Sequence, residues 1–265
     1  MLTLTLFNFG LLIIIGALLF LVKKTVSSEK TRRILLLASA AVTILFHYST
    51  LIFHCITGGN AINYLQNTPN LILPIYPCNV VMWSCLILAF LKNQDSRLSK
   101  LLIDYIFWFG IFSTLVGMFA NVDFINNPTL ADYEITKSIV AHATLLFNVL
   151  LLPVFGKIKI DFRRNMTNML LSVLGMYVIG LYCNLVFKVL VSPEKAYDVN
   201  SMFIIHSPFD GLGFLTYPII AAIALLLYFI LFTVCDLIKH KKGERWFDNL
   251  KNFFKKIKKQ KAEMK

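Results

Sequence analysis

Charge is scarce in this chain. Asp, Glu, Lys and Arg make up 15% of its 265 residues, against about 25% in a soluble domain. Acids are the rarer sign, 14 against 26 Lys and Arg. In their place stand long uncharged stretches, with 57% hydrophobic residues and 23 Phe. A bilayer core takes about 20 apolar residues per helix, and several stretches reach that length. The composition therefore excludes a soluble domain and points to a membrane.

Other absences narrow the class further. The five cysteines (Cys55, Cys78, Cys85, Cys183 and Cys235) all lie in or beside apolar segments. None sits in a polar outer loop, and none has zinc-finger spacing, so no disulfide framework is expected. There is no internal repeat, and no low-complexity segment apart from a Lys-rich tail. The order of a cleaved signal peptide is also missing. Such a peptide carries its positive charge before the apolar run; here Leu2–Val22 comes first and Lys23 and Lys24 follow.

Seven apolar spans are read: Leu2–Val22, Ile34–Ile56, Leu73–Leu91, Leu101–Ala120, Ile139–Phe155, Met166–Leu190 and Pro218–Ile238. The net charge of +12 could suggest nucleic acid, but its distribution follows these spans. Five basic residues fall in 23–33, three in 92–100, four in 156–165 and eleven in 239–265, which is 23 of the 26. Lys137, Lys188 and Lys195 are the remainder. Positive charge gathers on the cytoplasmic side. The expectation is an all-α polytopic helix bundle with its N-terminus outside and its C-terminus inside, in the cell membrane. Residues 1–238 form the membrane domain and 239–265 a basic cytoplasmic tail.

Two segments stand apart. In the tail, Trp246, Leu250, Phe253, Phe254 and Ile257 recur near helical spacing between lysines. That pattern reads as a basic amphipathic helix on anionic lipid headgroups; a solvated, disordered tail is the other reading. The outer connections are 57–72, 121–138 and 191–217. Within the last, Met202, Phe203, Ile204, Ile205, Phe209, Phe214 and Leu215 are too apolar for a free loop. That segment is expected to lie in the interface or to fold back over the helices.

Polar groups inside hydrocarbon are costly and mark functional sites. His54, Cys78, His142 and Asn184 lie on four different spans, each one or two turns below the outer surface. His47 and His54 are two turns apart on one helix face. Pro77 marks a helix start and puts Cys78 in the first turn. The positive end of the helix favours a thiolate there, and a nearby histidine would favour it further. A buried cysteine is more often a small hydrophobe, the reading kept for the other four. An intramembrane histidine often only bridges helices. A metal held by His54, His142 and Cys78 lacks a tight ligand motif, and no cofactor is implied. Asp104 and Asp236 read as snorkelling or cap residues near the inner ends.

Four blocks together resemble the family of transmembrane protein 164 and the bacterial YwaF-type membrane proteins. They are Leu73-Pro74-Ile75-Tyr76-Pro77-Cys78; Ile106-Phe107-Trp108-Phe109-Gly110 through Asp123; Ala141-His142-Ala143; and Asn200-Ser201-Met202-Phe203 through Pro218. The first block usually has His before Leu-Cys, where this chain has Tyr76-Pro77. The third usually has Ser where this chain has Ala141. The resemblance implies lipid acyl chemistry, with Cys78 as acyl acceptor and His142 as base. Asn184, His54 and Asn200 are supporting candidates. The expected function is a lipid acyltransferase or acyl hydrolase with membrane lipids as partners. Small-solute transport or binding, or a non-catalytic scaffold, are the alternatives.

Overall fold

The computed structural model describes residues 2–93, 95–119, 129–208 and 211–263. Ala120, Asp123, Phe209 and most of the 121–138 connection lie outside them. The described elements are all helical. They are α1 (Leu2–Thr25), α2 (Glu29–Thr57), α3 (Ala61–Asn67), α4 (Pro77–Phe90), α5 (Arg97–Phe119), α6 (Tyr133–Val154), α7 (Phe162–Leu190), α8 (Pro193–Val199), α9 (Tyr217–Lys239) and α10 (Trp246–Glu263). Short 3-10 turns occupy Pro69–Leu71 and Ser201–Phe203.

Among the described residues, six helices are long and apolar enough to cross a bilayer: α1, α2, α5, α6, α7 and α9. The seventh expected span, α4, is shorter at 14 residues, about 21 Å of rise. Pro74 and Pro77 keep the preceding stretch out of the helix, since proline fits only its first turn. The chain is a polytopic helical membrane protein.

Helix ends follow their local chemistry. Ser28 caps α2 by accepting the Thr31 N–H at 3.0 Å, Asp132 caps α6 by accepting from Glu134 at 2.8 Å, and Asp161 caps α7 by accepting from Arg164 at 2.8 Å. These caps sit five to seven residues before the apolar spans read from the sequence. The helices accordingly begin earlier than the hydropathy read from the sequence, at 29, 133 and 162 rather than 34, 139 and 166.

α6 is the central post. It packs on α1, α2 and α5, and 61% of its apolar window is buried, against 6% for α9. α4 fills the gap between α2 and α5. α7 packs on α5 and α9. The outward faces of α1, α7 and α9 stay apolar and exposed, as at Ile13, Val178 and Ile238. A soluble protein of this size does not expose so much contiguous apolar surface; here that surface meets lipid.

Near its inner end, α5 carries a fully buried carboxylate, Asp104. Arg164 of α7 grips it with two hydrogen bonds, of 2.9 and 3.1 Å, and Asn168 donates a third at 2.6 Å. Asp104 is thus a clasp between helices, more than the cap or snorkelling residue expected. Asp236 on α9 does cap: its oxygens accept from the backbone N–H of Trp246 at 2.9 Å and pair with His240 Nδ1 at 2.9 Å.

Candidate functional site

The site is built where α4, α5 and α6 meet. Gly110 of α5 fixes their register. A methyl group there would collide with Val149 of α6 and press on Val81 of α4, so these three residues form one closed layer. Seven residues toward the outer end, Gly117 of α5 faces His142 of α6 in the same way. A Cβ on Gly117 would overlap the His142 ring at Cγ, Cδ2 and Nε2. Glycine therefore makes the seat in which the histidine lies.

The orientation of His142 is set by its own helix. Nδ1 lies 2.8 Å from the Ser138 carbonyl oxygen. A carbonyl only accepts, so the proton is assigned to Nδ1, and Nε2 keeps its lone pair. The ring is thus the tautomer of a general base. His47 of α2 lies within electrostatic range of His142 and of Lys137. It is 3.4 Å from the Asn70 carbonyl oxygen. Next to it, Tyr48 donates to the Leu71 carbonyl at 3.0 Å. Together they tie the outer 3-10 turn down onto α2.

Cys78 stands in the first turn of α4, packed against the main core. Tyr76 precedes the helix, and its N–H donates to Asn79 Oδ1 at 3.1 Å. Tyr105 of α5 donates to the adjacent Pro77 carbonyl at 3.3 Å.

Relative depth follows from the shared layer. Cys78 is three residues outward from Val81, about 4.5 Å, and His142 is seven outward from Val149, about 10.5 Å. Both lie on the outer side of the layer, on neighbouring helices, with His142 about one turn nearer the surface. Within the similar depth expected from the sequence, one or two turns below the outer surface, the two residues are offset by about 6 Å. Hydropathy put α6 several residues too short at its outer end, which hid this step.

The other candidates hold backbone. The Asn184 carboxamide accepts the Ser201 N–H at 2.8 Å and donates to the Ser201 carbonyl at 3.3 Å. Ser201 Oγ and Met202 N–H both reach the Ile75 carbonyl, at 3.2 and 2.9 Å. The apolar outer segment does fold back, and it closes over the strand of chain leading into Cys78. Gly180 of α7 makes room for it, since a Cβ there would strike Met202 and Ile204. Asn200, with φ 43° and ψ 52°, holds its own turn by accepting from Ile205 and His206 and donating to the His206 carbonyl. His54, in the last turn of α2, meets Tyr64 at a tilt, ring centroids 5.2 Å apart.

One cluster was not read from the sequence. Lys137, 8% exposed, donates to Thr50 Oγ1 at 3.1 Å, to the Tyr64 hydroxyl at 2.9 Å and to Glu134. Tyr64 and Thr50 in turn donate to Glu134. Lys137 and Glu134 are one helical turn apart, a spacing that allows pairing. That signal was present; the partners on α2 and α3 were not visible in it.

The family model described as the TMEM164 family matches residues 2–235. No curated protein and no solved structure shows significant similarity to the chain. A match over that length, on a bundle whose first-turn cysteine and seated histidine face the same outer half, identifies the chain as a member of the TMEM164 family.

Proposed function

We propose that the chain is a lipid acyltransferase or acyl hydrolase of the cell membrane, with Cys78 as nucleophile and His142 as base. The observation that carries this reading is the His142 tautomer, with Nδ1 bound to Ser138 and Nε2 lying against Gly117 without a hydrogen bond to any described residue. A structural histidine bridging two helices would engage a neighbour with that second nitrogen. The place of Cys78 in the first turn of α4, directly after Pro77, and the activity implied by the family resemblance support it further.

In the reaction, the Cys78 thiol passes its proton toward His142 Nε2, and the sulfur attacks a lipid ester carbonyl. The S–C bond forms, the ester C–O bond breaks, and the departing lysolipid oxygen takes the proton back from His142. An acceptor hydroxyl, of a second lysolipid or of water, then attacks the thioester. His142 takes its proton, the C–S bond breaks, and the proton returns to the Cys78 sulfur. Two easier steps replace one difficult one. The offset between the residues suits the acceptor step. An oxygen lying between them meets the base on its outer side and the thioester on its inner side, while the first proton crosses the gap on an intervening hydroxyl.

The test uses the purified chain in vesicles with a phospholipid carrying a labelled acyl chain. Cys78→Ala should abolish label transfer, whereas Cys183→Ala should leave it intact. Full transfer by Cys78→Ala would overturn the nucleophile. Solute flux that survives Cys78→Ala, with no transfer by the unaltered chain, would favour a transporter.

A further inference from the structure

We propose that α10 docks on anionic lipid headgroups at the basic face of the membrane, with its height and roll set by Trp246. The helix start is bolted to the bundle. After α9, Gly243 turns the chain with φ 100°, and its N–H donates to Asp248 at 2.7 Å. The Trp246 N–H returns to Asp236, which lies about one turn inside the end of α9. α10 thus starts level with the last turn of a membrane-crossing helix, not out in the solvent. Lys239 secures the same corner by donating to the Ile160 carbonyl at 2.9 Å.

Roll follows from the indole. Trp246 stacks on Phe162 of α7, with centroids 4.4 Å apart and planes 6° apart, and meets Phe229 of α9 edge-on at 5.5 Å. Its face of α10 is therefore turned toward the bundle and the bilayer. At about 100° per residue, positions 250, 253, 254 and 257 fall on that same face. Lys251 flanks the apolar stripe on one side and Lys256 on the other, a register that sets cations at headgroup height. Within α10 six lysines stand against two acids, and one of those acids, Asp248, is taken by Gly243. An apolar stripe flanked by lysines matches an anionic leaflet. An acidic protein partner would match the lysines and leave the stripe without a neighbour.

Hydrogen exchange over 247–263, measured on the full chain in nanodiscs, tests this. Phosphatidylcholine discs are compared with discs that also contain phosphatidylglycerol. Exchange should slow in the anionic discs and return toward the neutral rate in high salt. The triple variant Lys251→Gln, Lys256→Gln, Lys258→Gln should lose the effect, at about fivefold in attachment per lysine removed. Equal exchange in both discs overturns the proposal. If fast, the tail is solvated; if slow, it is held by protein alone.

Discussion

At the scale of single residues, the account rests on glycine and histidine as much as on cysteine. Gly117 has no catalytic atom, yet it leaves room for the Nε2 edge of His142. Gly117→Ala should slow acylation of Cys78 toward the level of His142→Ala, a loss of about 10²–10⁴-fold for a general base. Thermal unfolding should stay close to that of the unaltered chain. Acylation at the normal rate in Gly117→Ala would show that the ring seat is immaterial. Asp104 makes the opposite case. Its removal leaves Arg164 and Asn168 without their buried partner, so Asp104→Ala should cost roughly 3–5 kcal/mol, read as a lowered midpoint in detergent. Both sites show how far single positions were legible. Cys78 and His142 could be picked out because a proline-marked start and a polar residue in an apolar run are local signals. The Asp104–Arg164 clasp joins residues sixty positions apart, and no local pattern carries that pairing.

At the scale of elements, the short α4 and the returning outer segment decide what reaches the site. α4 begins inside the bundle because two prolines delay it, and the Ser201–Phe203 turn then rests on the chain that leads into it. Asn184 is the pin, bonding both backbone groups of Ser201. Asn184→Ala should speed hydrogen exchange across 201–206 while leaving α7 itself protected; unchanged exchange there would show that the segment is held by apolar contacts alone. Six crossing helices were legible as apolar runs, the seventh run proving to be the 14-residue α4, and the fold-back of 200–206 was legible as a loop with too many large side chains. The starts of α2 and α6 were less so. Their first turns are polar, capped by Ser28 and Asp132, and hydropathy alone does not see a cap. The Lys137 cluster was missed for the same reason, since it sits in the polar turn that hydropathy left outside α6.

At the scale of the whole molecule, charge and burial agree. The end of the bundle that carries Arg164, Lys239 and the start of α10 is also where the basic segments 23–33 and 156–165 meet, through the Lys157–Glu29 ion pair. Reporter fusions after Lys265 should therefore read cytoplasmic, and fusions within 191–200 should read outside. A tail found outside would invert the molecule and put the Cys78–His142 half on the wrong leaflet. That half is the outer part of a lipid-embedded bundle, enclosed by α6 at its centre. The measurement that tests the central claim most directly is the intact mass of the chain after incubation with an acyl-lipid. The account predicts one acyl adduct, mapped to Cys78, absent from Cys78→Ala and strongly reduced in His142→Ala. An adduct on another cysteine, or one on Cys78 that forms equally fast without His142, would contradict it.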